Sequence, residues 1–356
     1  MFMLSRSILF ISALLLFSIS AVADSVKTFL FAGQAVAPGH KLSVLLPVIA
    51  GADSTVIPVT VLHGRRPGPV LGIIAGVHGC EYPPIIAAQQ LARTLDPAQL
   101  SGTVLLVHLA NVPGFLARRI HDNPVDDRNL NRTFPGRPDG TLTERLAWRL
   151  SEDVIARCTH VVDVHAGDAH EDLRPYAAYY NYFDTPALTE QGRQLAVALG
   201  FPYVVQFGNE ARPTEASLYC SREAIRRGIP AADIECGRLG QVESENVALI
   251  VQGLTGLLHH LHLLPGAEPA GPAPQFISQR TTVESAHTGF FYPLVKAGEF
   301  IRPGQRLGYV TDLFGAPLAD VLAPTAGLIL YMNATPPITK GESLFNIGQV
   351  PPAARP

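Results

Sequence analysis

The sequence contains little charge, and its charges nearly balance. Only 16% of its 356 residues are charged, and 27 Lys and Arg against 30 Asp and Glu give a net charge of −3. Because no basic stripe is present, a nucleic acid is not the expected partner. Hydrophobic residues make up 47% of the chain, which excludes a disordered protein and is typical of one with a large buried core.

Cysteines are few. Cys80, Cys158, Cys220 and Cys236 are the four in the chain, and no two of them form a C-x-x-C pair. A structural zinc knuckle is therefore not expected. In an exported protein four cysteines allow three disulfide pairings, and four buried free thiols are an equally good alternative.

Long apolar runs are absent except at the N-terminus. There, Arg6 precedes an apolar run over residues 8–20, and Ala21-Val22-Ala23 fits the small-x-small cleavage rule. The run is short for a membrane-spanning helix of about 20 residues. We therefore expect residues 1–23 to be a secretory signal peptide, with an uncleaved anchor as the less favoured alternative. The mature protein would begin at Asp24, carry no membrane span and be exported to a periplasm or out of the cell.

Apolar strand-like segments alternate with helical ones before residue 264. Strands are predicted at 44–49, 56–62, 70–77, 104–109, 160–165, 203–207 and 231–235. Helices are predicted at 82–95, 143–158, 185–199, 217–228 and 243–263, with Thr143 as the cap of the second. This alternation predicts an α/β catalytic domain over residues 24–264, a mostly parallel mixed sheet flanked by helices. Its site should lie at the carboxyl ends of the strands.

The composition changes at Pro265. Residues 265–274 are rich in Pro and Gly and predict a stiff, extended linker. Short strand-like segments with Gly and Pro turns follow, so residues 275–348 are predicted to form a separate all-β module. Residues 349–356 form a Pro-rich tail.

Three side chains that can bind a metal follow predicted strands. His78 and Glu81 come directly after the strand at 70–77, and His165 ends another strand. An isolated H-x-x-E pair is more often an ordinary loop, and the two strand ends are what favour a metal site. Two His and one Glu leave a fourth tetrahedral position for water, as in catalytic zinc sites. We expect one zinc ion per chain, with Gly79 keeping a crowding side chain away from it.

Two further features suit hydrolysis. Glu235 ends a third strand, where a carboxylate can take a proton from water and give it to a leaving amine; a solvated or ion-paired Glu is the alternative. Arg128, Asn131 and Arg132 lie in a polar loop. Guanidinium groups bind carboxylates in a bidentate fork and can polarise a carbonyl, although a surface Arg loop is the ordinary alternative.

Together these segments resemble the succinylglutamate desuccinylase/aspartoacylase family of the zinc-carboxypeptidase-like clan. The matching segments are Gly76-Val77-His78-Gly79-Cys80-Glu81, Arg128-Asn129-Leu130-Asn131-Arg132-Thr133-Phe134-Pro135-Gly136, Leu142-Thr143-Glu144-Arg145, Asp163-Val164-His165 and Ile234-Glu235-Cys236-Gly237. The resemblance implies zinc ligands at His78, Glu81 and His165. It implies that Glu235 is the general base, that Asn131 and Arg132 bind the substrate carboxylate, and that Arg128 acts at the scissile carbonyl.

The chain departs from the family pattern at two cysteines. The family usually has Asn or Asp where Cys80 stands and commonly a small residue where Cys236 stands. These two could form a disulfide, or Cys80 could contact the metal. The C-terminal module resembles a barrel-sandwich (biotinyl/lipoyl-like) domain, but no lysine lies at 312–315, so it is predicted to be a non-lipoylated structural module. In relatives such a module narrows access to the zinc, which favours small substrates.

Three functions remain open at this point. The leading hypothesis is a zinc amidohydrolase that cleaves the amide bond of a small N-acyl amino acid. The second is an exported zinc carboxypeptidase or cell-wall peptide amidase that uses the same site on a short peptide. The third is a non-catalytic binding protein with the same fold, against which the four intact candidate residues His78, Glu81, His165 and Glu235 argue.

Overall fold

A computed structural model describes residues 26–269, 271 and 273–350 of the protein. The predicted signal peptide and most of the predicted tail lie outside these residues. Within them, no helix combines the length and the apolar character that crossing a bilayer requires. The α-helices are α1 Tyr82–Thr94, α2 Val112–Leu116, α3 Leu142–Arg149, α4 Pro186–Ala198, α5 Cys220–Arg226 and α6 Ser244–His260.

The strands fall into two sets along the chain. The first set is β1 Phe29–Phe31, β2 Gln34–Val36, β3 His40–Ala50, β4 Asp53–His63, β5 Arg66–Ala75, β6 Ser101–Val107, β7 Asp122–Asn123, β8 Arg128–Asn129, β9 His160–His165, β10 Glu171–Leu173, β11 Tyr176–Tyr182, β12 Tyr203–Glu210 and β13 Ala231–Glu235. The second set is β14 Gln275–Ile277, β15 Arg280–Glu284, β16 Gly289–Pro293, β17 Phe300–Ile301, β18 Arg306–Thr311, β19 Pro317–Leu322, β20 Gly327–Asn333, β21 Pro337–Ile338 and β22 Ser343–Gly348.

A nine-stranded mixed sheet forms the centre of the molecule, in the order β14-β12-β11-β13-β9-β5-β6-β4-β3. Parallel pairs join β14 to β12, β12 to β11, β13 to β9, β9 to β5 and β5 to β6. The pairs β11–β13, β6–β4 and β4–β3 are antiparallel. The prediction of a mixed, mostly parallel sheet in an α/β fold is confirmed.

Helices cover both faces of this sheet. Successive residues of a strand point to opposite faces, and Ile73 and Ile74 of β5 accordingly join two different buried clusters. The cluster around Ile73 includes residues of α1, α4 and α6, whereas the one around Ile74 includes residues of α3 and α5. The near-continuous apolar composition of β5 follows from this burial on both faces.

The start of α3 corrects one prediction. Thr141, and not Thr143, is the N-cap: its side chain accepts the N–H of Glu144, and the Glu144 carboxylate accepts the N–H of Thr141 at 2.8 Å. This is a capping box. Thr143 instead donates its hydroxyl to Asp126 at 2.6 Å, and its N–H also donates to that carboxylate. Thr143 therefore ties α3 to Asp126, which precedes the polar loop that contains Arg128, Asn131 and Arg132 (the arginine loop).

The C-terminal region is rich in strands, as predicted. One sheet has the order β10-β20-β22-β15 with β17 also on β20, and the other has the order β19-β18-β16-β21. The side chains of Phe291 and Phe345 meet edge to face in the core of this region. Its barrel-sandwich identity remains a prediction.

Two strands cross between the predicted domains. β10, from the predicted catalytic domain, pairs with β20, and β14, from the predicted module, pairs with β12 in the large sheet. Hydrogen-bonded strands therefore connect the parts of the chain on either side of the linker predicted at 265–274, and the domain boundaries remain predictions.

All four cysteines are buried free thiols, so the alternative of a disulfide between Cys80 and Cys236 is wrong for this structure. Burial raises the pKa of Cys158 and of Cys236 to about 12. The Cys236 sulfur lies 3.6 Å from the carbonyl oxygen of Asn246. These cysteines act as small core residues.

Candidate functional site

The carboxyl ends of three adjacent parallel strands build the site. His78 and Glu81 follow β5, His165 ends β9 and Glu235 ends β13. Glu235 is directly paired with His165 in the ladder between β13 and β9. Because parallel strands end at the same edge of a sheet, these four residues meet there, as the sequence predicts.

Glu81 holds its carboxylate between two imidazoles. Its Oε1 lies 2.6 Å from Nδ1 of His78, and its Oε2 lies 2.9 Å from Nδ1 of His165. The ligand atoms of the three residues lie within 4.8 Å of one another, and all three side chains are buried. Burial disfavours the charged carboxylate, but the two histidines outweigh it and lower the pKa of Glu81 to about 2. Glu81 is therefore ionised and ready to bind a cation.

The other ring nitrogen of each histidine also has a partner. Nε2 of His78 lies 3.2 Å from the side-chain oxygen of Asn129, and Nε2 of His165 lies 2.9 Å from Oδ2 of Asp163. Contacts of this kind fix the ring orientation of histidines that bind metals through the opposite nitrogen. Two imidazole nitrogens on rings oriented in this way, together with one carboxylate, are a donor set that fits zinc.

Cys80 takes no part in this ligand group. Among the residues with described positions, the candidate metal groups contain no cysteine, and the Cys80 sulfur lies 3.9 Å from the hydroxyl of Tyr82. The idea that Cys80 contacts the metal is therefore wrong. The expected role of Gly79 changes as well, because a Cβ there would collide with the backbone of Gly114 and Phe115. Gly79 permits this close backbone approach.

One cavity of about 250 Å³ contains most of the predicted site. Six of the predicted residues line it: His78, Glu81, Asn131, Arg132, His165 and Glu235. Burial raises the pKa of Glu235 well above its ordinary range; His165 opposes this shift, and Glu81 and Glu171 add to it. Glu235 therefore favours its protonated form more than an exposed glutamate does.

Neighbouring groups hold Asn131 and Arg132 in place. The Arg132 guanidinium lies 4.5 Å from the centre of the Tyr219 ring and donates to the carbonyl oxygen of Asn131 at 2.6 Å. The side-chain oxygen of Asn131 accepts the N–H of Cys220 at 2.9 Å, and its nitrogen lies 3.4 Å from Nε2 of His165. Only the amide nitrogen of Asn131 therefore faces the ligand group.

Arg128 lies elsewhere. It begins β8, which pairs with β7 in a two-stranded hairpin, and its side chain is 51% exposed with a guanidinium nitrogen 3.8 Å from Glu144. It is not among the residues that line the cavity. The expected role at the scissile carbonyl finds no support in this position, because the hairpin places Arg128 beside α3, whereas the 3₁₀ turn at Leu130–Arg132 brings the following residues to the cavity.

The structure adds site residues that sequence reasoning missed. The His121 ring meets the His78 ring edge to face at 5.1 Å, and Tyr331 of β20 reaches the cavity from the C-terminal region. Glu171 also lines it, and burial together with Asp168 raises its pKa to about 7. No motif marks these three residues in the sequence. Asp163 had a usable signal, since it stands two positions before His165 and so shares its face of β9.

Comparison with known proteins decides the family. A family model described as the succinylglutamate desuccinylase/aspartoacylase catalytic domain matches residues 67–261. An N-alpha-acetyl-L-2,4-diaminobutyric acid deacetylase from Halomonas elongata is 30% identical over 305 residues, which cover 83% of this chain and 86% of that protein. The chain belongs to the succinylglutamate desuccinylase/aspartoacylase family.

Solved structures of this family have the same fold. The succinylglutamate desuccinylase/aspartoacylase from Rhodobacter sphaeroides matches with a TM-score of 0.78 and 26% identity, covering 87% of this chain and 96% of that one. The product-bound ectoine utilization protein EutE (DoeB) from Ruegeria pomeroyi matches with a TM-score of 0.78 and 27% identity, covering 87% and 95%. These matches extend well beyond the region of the family model, into the strand-rich C-terminal region.

Proposed function

We propose that the protein is a zinc-dependent deacylase that hydrolyses the amide bond of a small N-acyl amino acid. Membership of a deacylase family supports amide hydrolysis. The observation that carries the proposal is the Glu81 carboxylate held between Nδ1 of His78 and Nδ1 of His165, in a cavity that also contains Glu235.

The metal and the acid–base group have separate tasks. His78, Glu81 and His165 would hold the zinc, which when bound lowers the pKa of a water molecule and polarises a carbonyl oxygen. Glu235 takes a proton from the attacking water and returns it to the leaving amine. A carboxyl group serves both steps, because it accepts a proton as a base and donates it as an acid, and burial raises the pKa of this one above the ordinary glutamate value.

Arg132 supplies the contact with the substrate carboxylate. A guanidinium donates two parallel hydrogen bonds to a carboxylate, and the Tyr219 ring and the Asn131 carbonyl already orient this one. The amide nitrogen of Asn131 adds a further donor. The cavity of about 250 Å³ suits a small substrate, since pockets for drug-sized ligands are about 300–1,000 Å³.

Export is the second part of the proposal. It is supported by Arg6, the apolar run over residues 8–20 and the site Ala21-Val22-Ala23. We expect the protein recovered from a periplasmic or culture-medium fraction to begin at Asp24 by N-terminal sequencing. Protein that remains in the cytosol and keeps residues 1–23 would contradict export and leave the deacylase proposal intact.

Metal removal and a substrate panel test the activity. Chelation should abolish turnover of N-acyl amino acids and zinc should restore it. Glu235→Gln should keep its zinc and lose about 10²–10⁴-fold in kcat, whereas Glu190→Gln on the exposed face of α4 should behave as wild type. Preferential cleavage of peptides would favour the carboxypeptidase alternative, and no turnover of any amide would favour a binding protein.

A further inference from the structure

Arg128, which the family resemblance places at the scissile carbonyl, does not line the cavity. One catalytic task is therefore open. When water adds to an amide, its oxygen bonds to the carbonyl carbon, the C=O π electrons move to the carbonyl oxygen, and a base takes the water proton. Enzymes stabilise the resulting negative oxygen with hydrogen-bond donors that are already in place. A donor for this oxygen belongs among the residues that do line the cavity.

We propose that His121 donates a hydrogen bond to the carbonyl oxygen of the substrate as negative charge develops there, an inference that rests on the proposed deacylase function. His121 lines the cavity. Its ring meets the His78 ring edge to face, with the ring centres 5.1 Å apart. The ring centres of His78 and His165 are 5.2 Å apart. His121 therefore lies as close to His78 as the other histidine of the candidate zinc site does.

A buried carboxylate orients the His121 ring. Nε2 of His121 lies 3.0 Å from Oδ2 of Asp168, whose side chain is 1% exposed. His170 fixes this carboxylate from its other side, with Nδ1 lying 3.0 Å from Oδ1. Because a carboxylate only accepts hydrogen bonds, Nε2 of His121 carries a hydrogen. Buried charges in proteins are paired with opposite charges, and the negative charge of Asp168 favours a second hydrogen on Nδ1.

The other ring nitrogen of His121 is available to a substrate. In the described part of the chain, Nδ1 of His121 has no hydrogen-bond partner. The side chain is 43% exposed, so a molecule that enters the cavity can reach it. A charged imidazole donates a stronger hydrogen bond to a negative oxygen than a neutral donor does. His121 thus combines a fixed ring, a free donor and a positive charge.

The carboxylate contact and His121 lie beside different histidines of the candidate zinc site. The amide nitrogen of Asn131 lies 3.4 Å from Nε2 of His165, and Arg132 follows Asn131 in the chain, whereas His121 contacts His78. One substrate can therefore use both sets of donors at once. The competing explanation is that His121 only supports the His78 ring, in which case its loss would change the affinity for zinc and not the rate of the chemical step.

His121→Phe separates the two explanations, because it keeps an aromatic ring against His78 and removes both ring nitrogens. With the zinc-loaded full chain and an N-acyl amino acid that wild type hydrolyses, we expect kcat to fall by about 10²–10³-fold, the usual loss for one donor to a developing oxyanion. KM, and zinc affinity in competition with a chelator, should stay at wild-type values. His121→Arg should recover most of the loss, because it restores a charged donor.

His260→Phe is the matched control. His260 also lies against a carboxylate, 2.7 Å from Glu268, and it is not among the residues that line the cavity. Its kcat should equal that of wild type. A wild-type kcat in His121→Phe would overturn the inference and leave the deacylase proposal standing, as would a loss of activity that saturating zinc repairs. Wild-type protein that hydrolyses no N-acyl amino acid would refute both.

A crystal structure of the wild-type chain tests the contact without any variant. The probe is a phosphonamidate analogue of the substrate, in which a tetrahedral phosphorus with charged oxygens replaces the carbonyl carbon. Such analogues imitate the transition state of amide hydrolysis and bind more tightly than substrates. One oxygen on phosphorus should lie within hydrogen-bond distance of Nδ1 of His121. A bound analogue whose oxygens all lie away from His121 would contradict the inference.

Discussion

Individual residues orient the imidazole ring of each histidine in the candidate zinc site. Asp163 lies 2.9 Å from Nε2 of His165, on the side of the ring opposite Glu81. Removing the charge of Asp163 without changing its shape should therefore leave the fold in place and lower the affinity for the metal. Outer carboxylates of this kind typically change metal affinity by about 10–100-fold.

We expect Asp163→Asn to weaken zinc binding by about 10–100-fold, measured by competition with a chelator of known affinity. Asp320→Asn provides the control, since Asp320 pairs with Arg306 on the surface of the C-terminal region. Unchanged zinc affinity in Asp163→Asn would mean that other contacts fix the His165 ring.

Substitutions of Arg132 and Arg128, the two arginines of the polar loop, should change the kinetics differently. Lys cannot reproduce the planar fork of Arg132, so Arg132→Lys should raise KM by about 10–100-fold, the range expected for a charged hydrogen bond. A substrate whose carboxylate is amidated should be poor for wild type and should lose little more with this variant. Efficient turnover of the amidated substrate by wild type would contradict a carboxylate receptor.

The Arg128→Ala variant is the comparison for Arg132→Lys. The sequence alone predicts that Arg128→Ala lowers kcat, because the family resemblance places this residue at the carbonyl. Since its side chain is half exposed beside Glu144, we expect kcat and KM to stay at wild-type values in Arg128→Ala. A large fall in kcat would show that the loop rearranges when substrate binds.

The difference between Arg128 and the residues at the strand ends shows which single-residue positions a sequence can predict. His78, Glu81, His165 and Glu235 could be placed because each stands at the end of a strand, and strand ends in a parallel sheet share an edge. Arg128 could not, because its direction depends on the local hairpin. His121 joins the site through a contact with His78 across a long stretch of chain, and local pattern carries no information about such contacts.

Among the elements, α3 holds the arginine loop through its first turn. Its capping box and the Asp126–Thr143 pair fix both sides of that turn. Thr141→Ala should lower the free energy of unfolding by about 1 kcal/mol, measured by urea denaturation. Thr141→Ser keeps the capping oxygen and should restore most of it. Equal loss in both variants would mean that the methyl group, and not the cap, matters.

Strand β11 was the main element that the sequence did not predict. Its residues Tyr176–Tyr182 combine small, aromatic and polar side chains, without the valines that mark β9. The strand lies inside the sheet, antiparallel to β13 and parallel to β12. Its neighbours therefore determine its conformation, since strand preference depends strongly on context.

At the scale of the whole molecule, the C-terminal region contributes a wall of the cavity. Tyr331 of β20 lines it, opposite Leu173 of β10 in the strand ladder. Tyr331→Ala should widen the cavity and lower the preference for short over long acyl groups, measured as a ratio of kcat/KM values. Tyr309→Ala, which removes a ring stacked on Tyr292 in the other sheet of this region, should leave the ratio unchanged. An unchanged ratio in Tyr331→Ala would assign selectivity to other residues.

The exchange of β10 and β14 limits how the molecule can move. Each strand pairs with a sheet built mainly from the other part of the chain. Rotating the two parts about the segment between them would therefore break the backbone hydrogen bonds of both strand pairs. The two parts therefore cannot open by a hinge motion, and substrate has to enter past the side chains and loops at the rim of the cavity. Because these two ladders join the two parts of the chain, heating should unfold both parts in one cooperative step.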